Sequence, residues 1–226
     1  MKTIKFFICL LAIIIAVNTA SAQTNKINTN QKKTEPVSDG SNCYDGSSKI
    51  LNLGVGFGGF NYYRSYKGSG YSYHSTPAIS LSYEQALPKK IGPGYIGVGG
   101  YLGFQTSSAK YNYDWNYNNN VGNYYYKYSW TNFMIAARGA YHLDDLVSKN
   151  TDLYAGILLG LRFQGFRYSS NNPDPNGPDY NISSGNLNKV ASIFVGGRYY
   201  FSNQIAAFGE VGWGVSWLTL GLSYKL

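Results

Sequence analysis

The sequence predicts an all-β protein, an eight-stranded antiparallel up-and-down transmembrane β-barrel, on three observations. From Lys49 onward apolar residues recur at every second position, the period of a strand, and no stretch sustains helical periodicity. The face opposite the apolar one is rich in glycine. The connections alternate between short and long, as expected of meandering strands in an outer-membrane barrel. Composition agrees: among 226 residues only 13% are charged, too few for disorder, while 23 Tyr and 27 Gly are too many for an ordinary helical domain.

The first stretch, "MKTIKFFICLLAIIIAVNTASAQ", has Lys2 and Lys5, a short apolar run and Ala20-Ser21-Ala22 before Gln23. It reads as a secretory signal peptide, residues 1–22, cleaved after Ala22. The alternative, a membrane-anchoring helix, needs roughly 20 apolar residues, and the run is shorter. Residues 23–48 are polar and are expected to form a flexible N-terminal periplasmic tail. Cys9 leaves with the signal, so Cys43 stands alone and no internal disulfide is possible. Without Lys2 and Lys5 the net charge falls from +8 to +6. Lys and Arg are scattered, which argues against nucleic acid as a partner.

The barrel is expected over residues 49–226, with strands near 49–62, 76–87, 94–107, 124–143, 152–168, 187–201, 204–214 and 216–226. "PKKIGP" (88–93), "DDLVSKN" (144–150) and "SN" (202–203) are the short connections. Residues 64–75, 107–123 and 169–185 are the long ones, and a tight hairpin is expected near Val215. The 107–123 connection has the composition to extend its flanking strands beyond the membrane, with "NNNVGN" as the turn. In the last strand Leu218, Leu220, Leu222, Tyr224 and Leu226 share one face against Thr219, Gly221, Ser223 and Lys225. In the fifth, Leu153, Ala155, Ile157, Leu159, Leu161 and Phe163 oppose Tyr154, Gly156, Leu158, Gly160, Arg162 and Gln164.

Either face could be the outer one. A soluble sandwich or lipocalin-like barrel buries the Leu/Ile/Val/Phe face, whereas a membrane barrel turns it outward. Glycine discriminates. On a solvated face repeated glycine weakens strands and packs nothing, but inside a narrow eight-stranded barrel it makes room for a few large polar groups. The apolar face is therefore assigned to lipid. A sheet in hydrocarbon must also close to satisfy its backbone groups, so the last strand is expected to pair with the first, near Leu51–Phe57. By parity Glu84, Arg138, Arg162, Arg198 and Glu210 point inward. Isolated buried charges are costly, so a paired network of these five is expected, joined by Gln105, Gln164 and Asn52 and blocking a continuous pore. A proton or ion path is the functional alternative for the same charges.

The signal peptide, the eight alternating segments, "LNLGVGFGGF" near the start, "FGEVGWG" and the ending "LTLGLSYKL" together resemble the small eight-stranded outer-membrane β-barrels of Gram-negative bacteria, the OmpA/OmpX-like family. The resemblance implies residence in the bacterial outer membrane, contact with its lipid and insertion by the barrel-assembly machinery. That machinery reads a C-terminal strand with alternating apolar residues and usually a terminal aromatic. Leu218, Leu220, Leu222 and Tyr224 match, and Leu226 departs from the pattern. The peptidoglycan-binding domain of longer relatives is not seen, so wall anchoring is not expected.

The long connections are rich in Tyr, Asn, Ser and Gly, which combine rigid contact area with adaptable hydrogen bonding. Tyr66, Tyr71, Tyr113, Trp115, Tyr117 and Tyr180 are the candidate contacts for an extracellular ligand or host surface, with an interfacial aromatic girdle as the alternative. "NPDPNGPDYNIS" partly follows a calcium loop, with Asn172, Asp174, Asn176 and Gly177 in place, but Ser183 stands where a bidentate Glu is needed. No metal or cofactor is therefore expected. His74 lies beside Ser72 and Ser75 in a loop opposite the end that holds His142 with Asp144 and Asp145. Sequence neighbours do not make a triad, and no catalytic residues are assigned. The functional expectation is a monomeric, non-enzymatic surface or structural barrel. The alternatives are an adhesin, a narrow channel for small solutes or hydrophobic molecules, and a lipid-modifying enzyme.

Overall fold

Among the described residues the alternation is realised as nine strands in chain order: β1 (Lys49–Phe57), β2 (Ser72–Ser75), β3 (Ala78–Ala86), β4 (Gly94–Tyr117), β5 (Asn120–Leu143), β6 (Thr151–Ser170), β7 (Ser183–Tyr200), β8 (Ile205–Trp213) and β9 (Leu218–Lys225). The structure is a computed structural model that describes residues 43–58, 71–117, 120–143, 150–171 and 182–226. The signal peptide, the tail to residue 42, Tyr66, Tyr180 and the calcium-like stretch 172–181 lie outside the described residues, as do the side chains of Trp115 and Tyr117.

All pairings are antiparallel, and the ring runs β1–β3–β4–β5–β6–β7–β8–β9. It closes where β9 meets β1, from Phe57↔Leu218 to Ile50↔Lys225. β2 adds to β4 beyond β3, through Ser72↔Lys110 to Ser75↔Ser107. Only Thr76 and Pro77 separate β2 from β3. Proline has no N–H for the ladder, whereas Thr76 still donates to the Thr106 carbonyl at 3.0 Å. The barrel is thus an eight-stranded ring with one strand interrupted at a proline.

Orientation follows the parity. Ile157, Leu159 and Leu220 are 50%, 56% and 49% exposed, while Arg138, Glu84 and Tyr154 on the opposite face are buried. The soluble-sandwich arrangement, with aliphatics central and charges outside, is not the one adopted. Glycine makes the interior possible at specific points. A Cβ on Gly54 would lie 2.8 Å from both Ser80 Oγ and Thr219 Cγ2, and one on Gly97 would meet the Tyr44 hydroxyl and lie 2.8 Å from Glu84 Cγ.

Strand ends differ from the sequence reading in one systematic way. β4 and β5 are 24 residues each and stay paired from Gly94↔Leu143 to Tyr117↔Asn120. Most of the stretch expected as a long connection at 107–123 is therefore ladder. Residues 72–75 and 183–185, also expected in connections, are strand. Tyr71, Tyr111, Tyr113, Tyr126 and Tyr128 explain the extension. They share one face of the ladder and contact each other, with centroids 5.1 Å apart for Tyr111–Tyr126 and 5.2 Å for Tyr71–Tyr111. Cross-strand aromatic pairs of this kind each add a fraction of a kcal/mol to about 1 kcal/mol.

Gly54→Val is expected to overpack the lumen and cost about 1–3 kcal/mol, read as an earlier urea midpoint in detergent micelles.

Candidate functional site in the barrel interior

The end of the barrel that carries the short turns concentrates its charge. Glu84 comes from β3, Arg138 and His142 from β5, Asp152 and Tyr154 from β6, Arg198 from β7 and Glu210 from β8. Strand parity aims each side chain at the same narrow space. The Arg138 Nε donates to Glu84 Oε2 at 3.0 Å, and its Nη2 donates to Glu210 Oε1 at 2.6 Å. The Arg198 Nη1 donates to Asp152 Oδ2 at 2.6 Å, and its Nη2 lies 3.6 Å from Glu84 Oε1. The Tyr154 hydroxyl donates to Glu210 Oε1 at 2.9 Å.

His142 completes the set. Its Nδ1 is 2.8 Å from Asp152 Oδ1 and its Nε2 is 2.8 Å from Glu84 Oε1. A ring with a carboxylate against each nitrogen can offer an N–H to both only as the imidazolium. The cluster then carries three carboxylates (Glu84, Asp152, Glu210) and three cations (Arg138, His142, Arg198), and it is neutral as a whole. Aromatic faces fill the spaces between. The Arg138 guanidinium lies 4.1 Å from the Phe194 ring centroid, and that of Arg198 lies 4.4 Å from the Tyr154 ring centroid. Such contacts stabilise a desolvated cation by up to about 2 kcal/mol.

The segment before β1, expected as the end of a flexible tail, is seated against this cluster. Tyr44 is 2% exposed and stacks on His142, with centroids 3.6 Å apart and planes at 6°. Cys43 donates its thiol to the Thr151 carbonyl at 2.9 Å, and Lys225 donates to the Cys43 carbonyl at 3.1 Å. Asp45 forms a local turn, accepting from the Ser47 N–H at 2.8 Å and the Ser47 hydroxyl at 2.6 Å, with Lys225 at 3.6 Å. Partial burial opposes the Asp45 charge, but the Ser47 hydrogen bonds and the Lys225 ammonium outweigh it and hold its carboxyl below the usual range.

Of the five charges expected inward, Glu84, Arg138, Arg198 and Glu210 lie in this cluster. Arg162 lies on another level, with Met134 and Asn188 as its register partners. Met134 is four positions along β5 from Arg138, about 13 Å at the rise of a strand. The Glu210 carboxylate is taken by Arg138 rather than by its diagonal neighbour Arg198. The expected linking amides make local pairs. Asn52 bonds Ser82 and Ser223, Gln105 bonds Thr76 and Ser75, and Gln164 bonds Asn132. His142, Asp152, Tyr154 and Tyr44 are the members the sequence reading omits. Parity offered the signal for the first three, because 138, 140 and 142 share a face, as do 152, 154 and 156. His142 neighbours Asp144 and Asp145 in sequence, but its carboxylates are Glu84 and Asp152.

Among the described residues no group of three or more His, Cys, Asp or Glu is arranged to hold a metal ion. Nearer the long-strand end the lumen is filled by Tyr101, Met134, Leu158, Phe194 and Val215. A small cavity lined by Tyr101, Ser192, Phe194, Val215 and Thr219 leads down to Glu210.

The fold and interior define a closed eight-stranded up-and-down β-barrel with charge-paired side chains in its lumen. In fold the chain is similar to the N-terminal β-barrel domain of Pseudomonas aeruginosa OprF, at 13% identity and a TM-score of 0.38, covering 80% of this chain and 98% of that one. It is also similar to Ail, the attachment invasion locus protein of Yersinia pestis. Alone, Ail matches at 11% identity and a TM-score of 0.38, covering 81% of this chain and 100% of that one. In complex with the heparin analogue sucrose octasulfate it matches at 9% and 0.39, with the same coverage. No protein-family model and no curated protein matches the chain.

Arg138→Met leaves Glu84 and Glu210 facing each other without their shared cation. It is expected to cost about 3–5 kcal/mol, the penalty for an orphaned buried charge, and adding Glu210→Gln, which leaves Glu84 with His142 and Arg198, should recover most of it in the same urea titration. The Asp45 turn has its own pH signature. A carboxyl held low in the folded protein stabilises above its unfolded pKa, and that contribution is lost as pH falls through the folded value. Acidification is therefore expected to release the 43–48 segment to protease before the barrel opens, and Asp45→Asn should remove the pH dependence.

Proposed function

We propose that the protein is an integral outer-membrane β-barrel with a plugged interior that acts as a structural or surface-interaction protein. One observation carries the reading: an apolar belt encircles the closed ring while the charges are paired within. On β6 the belt runs from Leu153 to Phe163, both exposed, which at a strand tilt near 40° spans about 25 Å along the barrel axis, the height of an outer-membrane barrel's apolar band. Phe57, Phe104, Phe163 and Trp213 are exposed toward one margin, where aromatic rings favour the headgroup level. Water is the wrong solvent for such a surface, whereas lipid is the right one.

In this reading the signal peptide directs export, and the barrel-assembly machinery inserts the chain through Leu218, Leu220, Leu222, Tyr224 and Leu226. The first four alternate with Thr219, Gly221 and Ser223 on a strand whose apolar side chains are exposed. The barrel works as a monomer in contact with lipid. The neutral cluster with Tyr44 beneath it supports a plug rather than a channel, since an ion would have to displace paired charges and a stacked ring. Catalysis has no support in the geometry. His74 pairs with Ser108 on β4 while His142 pairs with Tyr95, 13 positions or about 43 Å apart along that strand.

A second reading, recognition of an extracellular ligand, is favoured by the β4–β5 extension. Tyr71 and Tyr113 belong to its half-buried aromatic face, and the strand ladder holds that face rigid. Deleting residues 107–130 as paired turns should abolish binding to host surfaces if this reading holds, and unchanged binding would remove it.

Purified protein in a planar bilayer is expected to give a flat conductance trace, and steady single-channel steps would overturn the plug. Leu159→Arg is expected to lower the unfolding free energy in lipid by about 2–4 kcal/mol, as for a cation at mid-membrane. A neutral result would put that face in water.

A further inference from the structure

Beyond the apolar filling of the lumen the inner face of the barrel opens. Among the described residues β8, β9 and β1 end at Trp213, Leu218 and Phe57, whereas β4, β5, β6 and β7 run on. The inward side chains of these four strands therefore line a recess with one wall cut short. Ser184 and Asn186 at its rim are exposed, and Gln164, Phe166 and Asn188 are half-buried.

Two register rows give the recess its chemistry. Gln105, Asn132, Gln164 and Asn186 stand in one row across the four strands, and the next inward-facing row holds Ser107, Trp130, Phe166 and Ser184. The amides do not close into a network. Gln164 donates to Asn132 Oδ1 at 3.1 Å, Gln105 donates to the Thr76 carbonyl at 2.8 Å, and Asn186 donates to Asn188 Oδ1 at 3.5 Å. Among the described residues each of the four is engaged at one end of its amide only, although every amide both donates and accepts. Gln105 is the extreme case. The residue is 2% exposed, and its Oε1 accepts from no described group, a costly state for a buried acceptor.

The aromatic row is fixed from one side. Trp130 is 3% exposed and its ring centroid lies 5.9 Å from that of Phe166, with Tyr128 at 6.1 Å. Phe166 is clamped by these rings while part of it stays open to the recess.

Neither row contains a charged side chain, so the fitting ligand is neutral. Half-engaged amides match hydroxyl groups, which also donate and accept. The negative face of an aromatic ring attracts weakly positive C–H groups. A pyranose whose ring hydroxyls are all equatorial offers both at once, with C–H bonds on its faces and hydroxyls around its rim. The two rows are about 7 Å apart along the strands, so a sugar ring laid on Phe166 brings its rim to Gln164 and Asn186.

We propose that this recess binds a neutral oligosaccharide of equatorial pyranose units, stacked on Phe166 and hydrogen-bonded by Gln164 and Asn186, with Asn132 and Gln105 behind them. The inference rests on the ligand-recognition reading above and names the ligand's chemistry.

The test is isothermal titration calorimetry on the full chain in phosphocholine micelles, which bring no sugar headgroup of their own. The probes are cellotriose, β-1,4-mannotriose with its axial hydroxyls, and the open-chain polyol sorbitol. Cellotriose is expected to bind saturably and mannotriose more weakly, because a site built around hydroxyl positions rejects a misplaced one. F166A should weaken cellotriose about tenfold through the lost stacking. Q164L and N186L should each weaken it about fivefold, the worth of one hydrogen bond. All three variants should remain heat-modifiable on a gel. No saturable binding by wild-type protein, mannotriose or sorbitol binding as tightly as cellotriose, or unchanged binding by all three variants would each overturn the sugar site. Host-surface binding separates this inference from the reading beneath it. A protein that ignores cellotriose but loses host binding when residues 107–130 are deleted keeps the recognition reading and loses the sugar. A protein that takes cellotriose through these residues but binds no host surface keeps the sugar site, and its glycan then belongs to the cell's own surface.

Discussion

Arg138 and the carboxylates on either side of it set the terms for the rest of the molecule. Closing eight strands into a ring leaves an interior too narrow for water to solvate a charge. The ionised groups buried at the short-turn end must therefore find opposite charges across the lumen. Glu84 and Glu210 come from strands far apart in the chain and meet at one guanidinium. Their convergence fixes which side chains can share a level and forces glycine at positions such as Gly97, beside Glu84 and Tyr44. It also makes the register of β3, β5 and β8 mutually dependent. A slip of one residue in any of these strands would turn its charge toward the apolar exterior.

The fold was legible because the period of two survives all the way along the chain. Leu153 to Phe163 and Leu218 to Leu226 carry an apolar residue at every second position, and the glycines opposite them distinguish a crowded lumen from a wet surface. Strand ends were less legible. Tyrosine serves equally as loop contact, girdle or ladder side chain, so the composition of 107–123 left its conformation open. The ladder prevailed because Tyr111, Tyr113, Tyr124 and Tyr126 face one another in register.

The interior was legible only where parity could be read along a single strand. Glu84, Arg138, Arg198 and Glu210 have inward parity, and so do His142 and Asp152. The last two stand next to turns, where sequence proximity to Asp144 and Asp145 suggested a different grouping. Which inward charges meet is decided by the stagger between strands. That stagger separates Arg162 from Arg138 and brings Asp152 beside Arg198. Tyr44 carries no periodic signal at all. Its burial depends on a mouth created by strands far from it in the chain.

The same geometry brings the two ends of the barrel chain together. Leu226 donates its N–H to the Lys49 carbonyl at 2.9 Å, and Lys225 grips the Cys43 carbonyl. A short linker from Leu226 to Cys43 would span this gap, and the backbone could instead be opened between Tyr117 and Asn120 without breaking a pairing. Such a circular permutant would keep the pairings of the cylinder while placing the run Leu218–Leu226 ahead of β1 in the chain. Folding in detergent would then show whether the ring assembles from its pairings alone, whatever the order in which the strands are made.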